Sequence, residues 1–206
     1  ILLYALNTDY LQEYFKEYMV SEKSFMIERF KSHDFFGEFV QDFRKTIAIA
    51  SFTSIPDSRL MWGYYCQGMK GFCIIYNRDK LLASKVRLDV VDYDESVIQV
   101  NAMDHAYSYR TKRNDDVLTK IPKFKHKEWS HETELRSLCK LEENEAGIGR
   151  LLPIERNCVD GVIIGCKVSM ATREKIAELS KELNFGLFYA EPNLEKFTVD
   201  ISEYLK

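Results

Sequence analysis

The hydrophobic period of this chain changes at Thr46, and that change limits the folds open to it. Upstream, apolar side chains recur at helical spacing after three capping residues. Thr8 precedes Leu11, Tyr14, Phe15 and Tyr18; Ser21 precedes Phe25, Met26, Ile27 and Phe30; Asp34 precedes Phe35, Phe36, Phe39, Val40 and Phe43. Phe stripes this dense predict buried helix faces rather than a ligand box. From residue 46 onward, short β-branched and apolar runs take over. Residues 46–54 (TIAIASFTS) stop before Pro56, 71–77 (GFCIIYN) follow, 86–93 alternate, and 161–166 (GVIIGC) read as a buried strand. Residues 57–67 form a helical turn ending at Gly68, and 94–119 carry helical signals around a polar middle. Residues 132–141 alternate as a strand. Ser169 caps a long helix through Ile176, Leu179 and Leu183, closed by Asn184 and Gly186, and 186–190 and 197–201 are closing strands. The order predicts an α+β fold: N-terminal helices packed on a mixed, largely antiparallel sheet, with a long helix before the closing strands. A length of 206 residues predicts one domain over 1–206, with 1–45 a helical front and 46–206 the sheet-containing body.

Composition excludes several classes. A net charge of −3 gives no electrostatic case for nucleic acid or an anionic membrane. No apolar run approaches the ~20 residues of a membrane span. The five cysteines (66, 73, 139, 158 and 166) form no CxxC pair and are odd in number, which predicts reduced, buried thiols and a cytoplasmic setting. The chain begins at Ile1 rather than Met, which reads as a fragment boundary with residues missing upstream. Lys120, Lys123, Lys125 and Lys127, with His126 among them, are followed by Glu128, Glu132 and Glu134, a pattern expected of a solvated loop.

The densest cluster of functional groups is 125–136, KHKEWSHETELR. If Glu132 begins a strand, the two-residue period puts Glu132, Glu134 and Arg136 on one face. A guanidinium there lets both carboxylates stay ionised, and such a row can bind a ribose hydroxyl, steady a cationic transition state or accept a proton. The same row on a solvated face is only a set of ion pairs. Trp129, three residues earlier, suggests a wall or lid over it. Ser51, Thr53 and Ser54 end the first strand with three hydroxyls, which turn chemistry explains without a nucleophile. Met61, Trp62, Tyr64 and Tyr65, followed by Phe72, Cys73 and Ile74, pack aromatic mass around Gly63 and Gly71, as core or as a stacking surface for a flat ligand. His126 and His131 match no metal-ligand spacing, so no metal is expected.

Taken together, residues 50–53 (ASFT), 60–65 (LMWGYY), 70–74 (KGFCI) and the set Lys125, Trp129, Glu132, Glu134 and Arg136 resemble the markers of the bacterial domain-of-unknown-function family twenty-nine seventy-one. The resemblance runs in order over roughly 46–201. The family's aromatic-rich opening strand and its Asn-Asp-Pro-Phe-like motif are not present here. The resemblance implies a bacterial or phage protein from mobile or defence-associated gene neighbourhoods. That suggests a binding or effector module for a small molecule or protein, acting through Trp62, Trp129 and Glu134. The motif order is also similar to that of ADP-ribosyltransferases, which implies NAD as cofactor. Glu134 would then contact the nicotinamide ribose, Glu132 would orient the acceptor, and Thr53 or Ser54 would support the site. A structural or homo-oligomerising protein with an aromatic interface is the third reading. That reading predicts a closed Glu134–Arg136 ion pair and no cavity.

Overall fold

The computed structural model describes residues 45, 47–98, 120–145 and 148–204. The three helices expected over 1–45 lie outside these residues, as does most of the helical segment expected over 94–119. The chain divides into two compact units. One comprises Ile1–Ile49, Ser96–Phe124 and Leu138–Arg150; its described part includes an Arg150 guanidinium donating to Glu145 at 2.7 Å. The other comprises Ala50–Glu95, Lys125–Ser137 and Leu151–Lys206, and holds every residue that lines the cleft described below.

The described chain is α+β. Strand β1, Ile47–Thr53, ends before Pro56. Helix α1, Arg59–Tyr64, starts where the Ser58 hydroxyl accepts the Met61 N–H. The chain then reverses through Gln67, Gly68 and Met69, all at positive φ, into β2, Phe72–Tyr76. Asn77 caps a second short helix, α2 (Arg78–Ala83), which no sequence signal singled out. The single strand expected over 86–93 is instead two, β3 (Asp89–Val90) and β4 (Asp92–Asp94). The chain changes partner between them: β3 pairs antiparallel with β6 (Glu134–Lys140), and β4 forms a two-stranded sheet with β5 (Phe124–His126).

Two larger sheets result, ordered β1-β6-β3 and β2-β7-β8-β9. In the second, β7 (Val159–Gly165) lies antiparallel to β2 and parallel to β8 (Gly186–Pro192), and β9 (Val199–Glu203) closes antiparallel to β8. A parallel neighbour needs a crossover, and helix α3, Met170–Leu183, supplies it. The expected caps hold: Ser169 accepts the Thr172 N–H, and Asn184 turns left-handed at φ 55°.

Strand β7 is buried on both faces, which is why its sequence is a continuous apolar run. Ile163 joins Trp62, Met69, Ala190 and Val199 in one cluster, while Val162 and Ile164 join Val168 and Ile176 in another. Gly165 ends this strand because nothing larger fits: a Cβ there would lie 2.3 Å from the Met69 carbonyl oxygen.

Candidate ligand-binding cleft

The strand expected from Glu132 begins two residues later. Residues Lys127–Glu132 wind into a 3-10 helix, and Thr133 adopts a left-handed conformation at φ 41° before β6 starts at Glu134. Glu132 therefore does not share a strand face with Glu134 and Arg136. The two carboxylates still converge, because Lys125 in the middle of β5 reaches both. Its ammonium bonds Glu132 Oε2 and donates to Glu134 Oε2 at 3.1 Å. Both carboxylates are buried, with Glu132 2% and Glu134 5% exposed. The lysine expected in a solvated run is drawn under the surface by two buried anions, whereas Lys127 keeps an exposed pairing with Glu95.

The two glutamates differ in how fully they are bonded. Arg136 donates to Glu134 from Nε (2.8 Å) and from its second terminal nitrogen (2.9 Å), and Lys125 adds a third charged donor. An ionised carboxylate offers about four acceptor positions, so Glu134 has at least three of them filled, all by charged donors. Burial pushes its pKa up, but the bonds from Arg136, Ser51 and Lys125 outweigh burial and hold it at about 2. Glu132 accepts the Tyr65 hydroxyl at 2.8 Å on Oε1 and Lys125 on Oε2. About two of its acceptor positions have no donor among the described residues. The bond to Glu132 holds the Tyr65 proton and raises the Tyr65 pKa, with burial adding to the effect. Burial disfavours the charged Lys125, but its two carboxylate partners overcome that and raise its pKa.

The cluster forms the floor of a cleft of about 450 Å³. Ser51, Thr53, Trp62, Tyr65, Lys125, Glu132, Glu134 and Arg136, all singled out in the sequence, line it. Thr53 steadies the floor by donating to the Glu132 carbonyl at 2.7 Å while accepting the Ile55 N–H. Trp62 is 3% exposed and donates its indole N–H to the Pro56 carbonyl at 2.7 Å, so it is a wall rather than a free stacking plate.

Ser54 and Trp129 are not among the lining residues. Ser54 lies against the Thr133 hydroxyl at 3.5 Å. Trp129, expected as a lid over the carboxylates, stacks its ring on His131 and sits 5.0 Å from the Lys125 ammonium. That is a cation–π contact from outside the floor. Sequence reasoning missed Phe52, Ile55, Pro56 and Cys66 of the apolar wall, and it offers Met61, Phe72 and Cys73 only as core or a stacking surface. It also missed Tyr93, whose hydroxyl accepts the Glu134 N–H at 2.9 Å. Met61, Phe72 and Cys73 do fall in the MW and KGFCI motifs, which was the available signal. Among the described residues no group of His, Cys, Asp or Glu is arranged to hold a metal ion.

With the cleft defined, the comparisons with known proteins take on meaning. Residues 61–137 match the family described as "Protein of unknown function (DUF2971)". This stretch resembles DUF2971 sequence. The DUF2971 match runs from Met61 on α1 to one residue past Arg136, so it includes Trp62, Tyr65 and all four charged groups of the floor. Ser51 and Thr53 of β1 precede it. No curated protein and no solved structure matches the chain. No helix among the described residues is long and apolar enough to cross a membrane.

Proposed function

We propose that the chain is a ligand-binding module and that its cleft reads a neutral hydrogen-bond donor, a hydroxyl or an amide, through Glu132. The observation that carries this reading is the unequal bonding of the two buried carboxylates: Glu134 accepts three charged donors, and Glu132 lines the cleft with two donors and acceptor positions open among the described residues. Charge selects the donor type. Lys125 and Arg136 already balance the two glutamates, so a buried cation or anion would enter with no counter-charge, at high desolvation cost. A neutral donor satisfies Glu132 without disturbing that balance. A volume of about 450 Å³ lies within the range of small-molecule sites. A purely structural role for the row predicts a closed Glu134–Arg136 pair without a cavity; the pair is closed, but the cavity is present.

Ligand-observed NMR on the full chain, with a panel of nucleosides, monosaccharides and amino-acid amides, tests the reading. At least one compound is expected to bind, and Glu132→Gln, which presents an amide where a full acceptor stood, should weaken it tenfold or more. Met61→Trp, which fills the cleft and leaves the charged floor alone, should abolish binding. If no compound binds, or if binding ignores both variants, the reading is wrong.

A second reading, an NAD-dependent ADP-ribosyltransferase-like enzyme, is favoured by the gathering of Ser51, Thr53, Glu132 and Glu134 in one cleft. In that scheme Glu134 needs an oxygen free for the ribose, so Lys125 or Ser51 must release it when NAD binds. NAD consumption by the full-length protein, lost in Glu134→Gln, would establish it; untouched NAD and unmodified lysate protein would remove it.

A further inference from the structure

Strand β2 borders the cleft. Successive side chains of a strand point to opposite faces, yet the consecutive residues Phe72 and Cys73 both line the cavity. A cavity that meets both runs past the strand's rim or touches its backbone. Within the second sheet β2 is terminal, paired with β7 alone. The Gly165 N–H donates to the Gly71 carbonyl at 3.1 Å, which fixes the alternation of that ladder. By the printed register, Gly71, Cys73 and Ile75 then bond toward β7, and Phe72 and Ile74 turn their N–H and C=O groups outward. Among the described residues those carbonyls meet only thiols, Cys66 Sγ on Phe72 O at 3.8 Å and Cys73 Sγ on Ile74 O at 3.9 Å. Thiols are weak donors. Among the described residues no acceptor meets the two outward N–H groups, and Phe72 and Ile74 are 47% and 40% exposed.

We propose that the cleft takes an extended peptide segment, which adds as a strand to the outer edge of β2 and points a Ser, Thr, Asn or Gln side chain at Glu132. This rests on the reading of Glu132 as the open acceptor and names the class of ligand. Strand addition uses the outward N–H and C=O groups of Phe72 and Ile74 for affinity. Specificity comes from alternate side chains, one of which enters the floor. The neutral Lys125/Glu132/Glu134/Arg136 set selects an uncharged polar side chain there, and the apolar wall at Ile55, Met61 and Phe72 accepts its aliphatic neighbours.

The test uses the full chain and acetylated, amidated pentapeptides with Thr or Gln at the centre and Val at the flanking positions. Binding should slow hydrogen exchange at the Phe72 and Ile74 amides at least tenfold. N-methylation of the peptide nitrogens that face β2 should weaken binding at least tenfold, and so should exchanging the central Thr for Val. Ile74→Pro removes one outward N–H at an edge position where proline is tolerated, and it should weaken the peptide similarly. If N-methylated and unmodified peptides bind equally, strand addition is overturned while the Glu132 reading stands. The same holds if a small hydroxylated compound binds and no peptide does. If neither class binds, both readings fall together.

Discussion

Removing the Lys125 ammonium would leave Glu132 with only the Tyr65 hydroxyl while it stays buried beside a second carboxylate. Breaking a buried charge set in this way costs about 3–5 kcal/mol, so urea unfolding of Lys125→Met should show a loss of that order. The Glu134 pKa is depressed from 4.5 to about 2, so its contribution is complete above the ordinary carboxyl value and disappears as pH falls toward 2. Wild type should therefore unfold at higher temperature than Glu134→Gln at neutral pH, with the gap closing between about pH 5 and 2. A constant gap would mean the ion bridge contributes nothing measurable.

At the scale of elements, Thr133 deserves a test of its own because a β-branched residue at φ 41° is strained. Thr133→Asn keeps a small polar side chain and tolerates the left-handed region, so chemical denaturation should show a gain of up to about 1 kcal/mol. A loss would mean that the contact with Ser54 outweighs the strain. This residue also explains what could and could not be read in the sequence. The cap at Ser169, the strands β1, β2, β7, β8 and β9, and the crossover helix α3 follow from local period and capping chemistry, and all were legible. The site was legible as a list of residue types but not as an arrangement. Period two joined Glu132 to Glu134 through a strand that Thr133 interrupts, and the actual link is Lys125, brought in by a separate strand. Non-local bonds of that kind leave no trace in spacing. The partner switch at Val91, which splits an alternating run in two, is hidden for the same reason.

For the molecule as a whole, the cleft wall and the hydrophobic core share residues. Trp62 lines the cleft and packs with Met69, Ile163, Ala190 and Val199. Ile163→Ala, at a residue that does not line the cleft, should cost about 2–5 kcal/mol and weaken cleft ligands as well, measured by thermal unfolding and ligand titration on the same sample. Binding that survives unchanged would show that the wall is held by something other than this cluster. The two tryptophans carry a practical consequence. Trp62 is enclosed and bonded to Pro56, whereas Trp129 is 39% exposed over a lysine. The protein thus contains a matched pair of intrinsic fluorophores, one emitting from a dry site and one from a wet site. Acrylamide should quench only the red-shifted component, Trp129→Phe should remove it, and the remaining blue emission then becomes an optical gauge of the cleft wall.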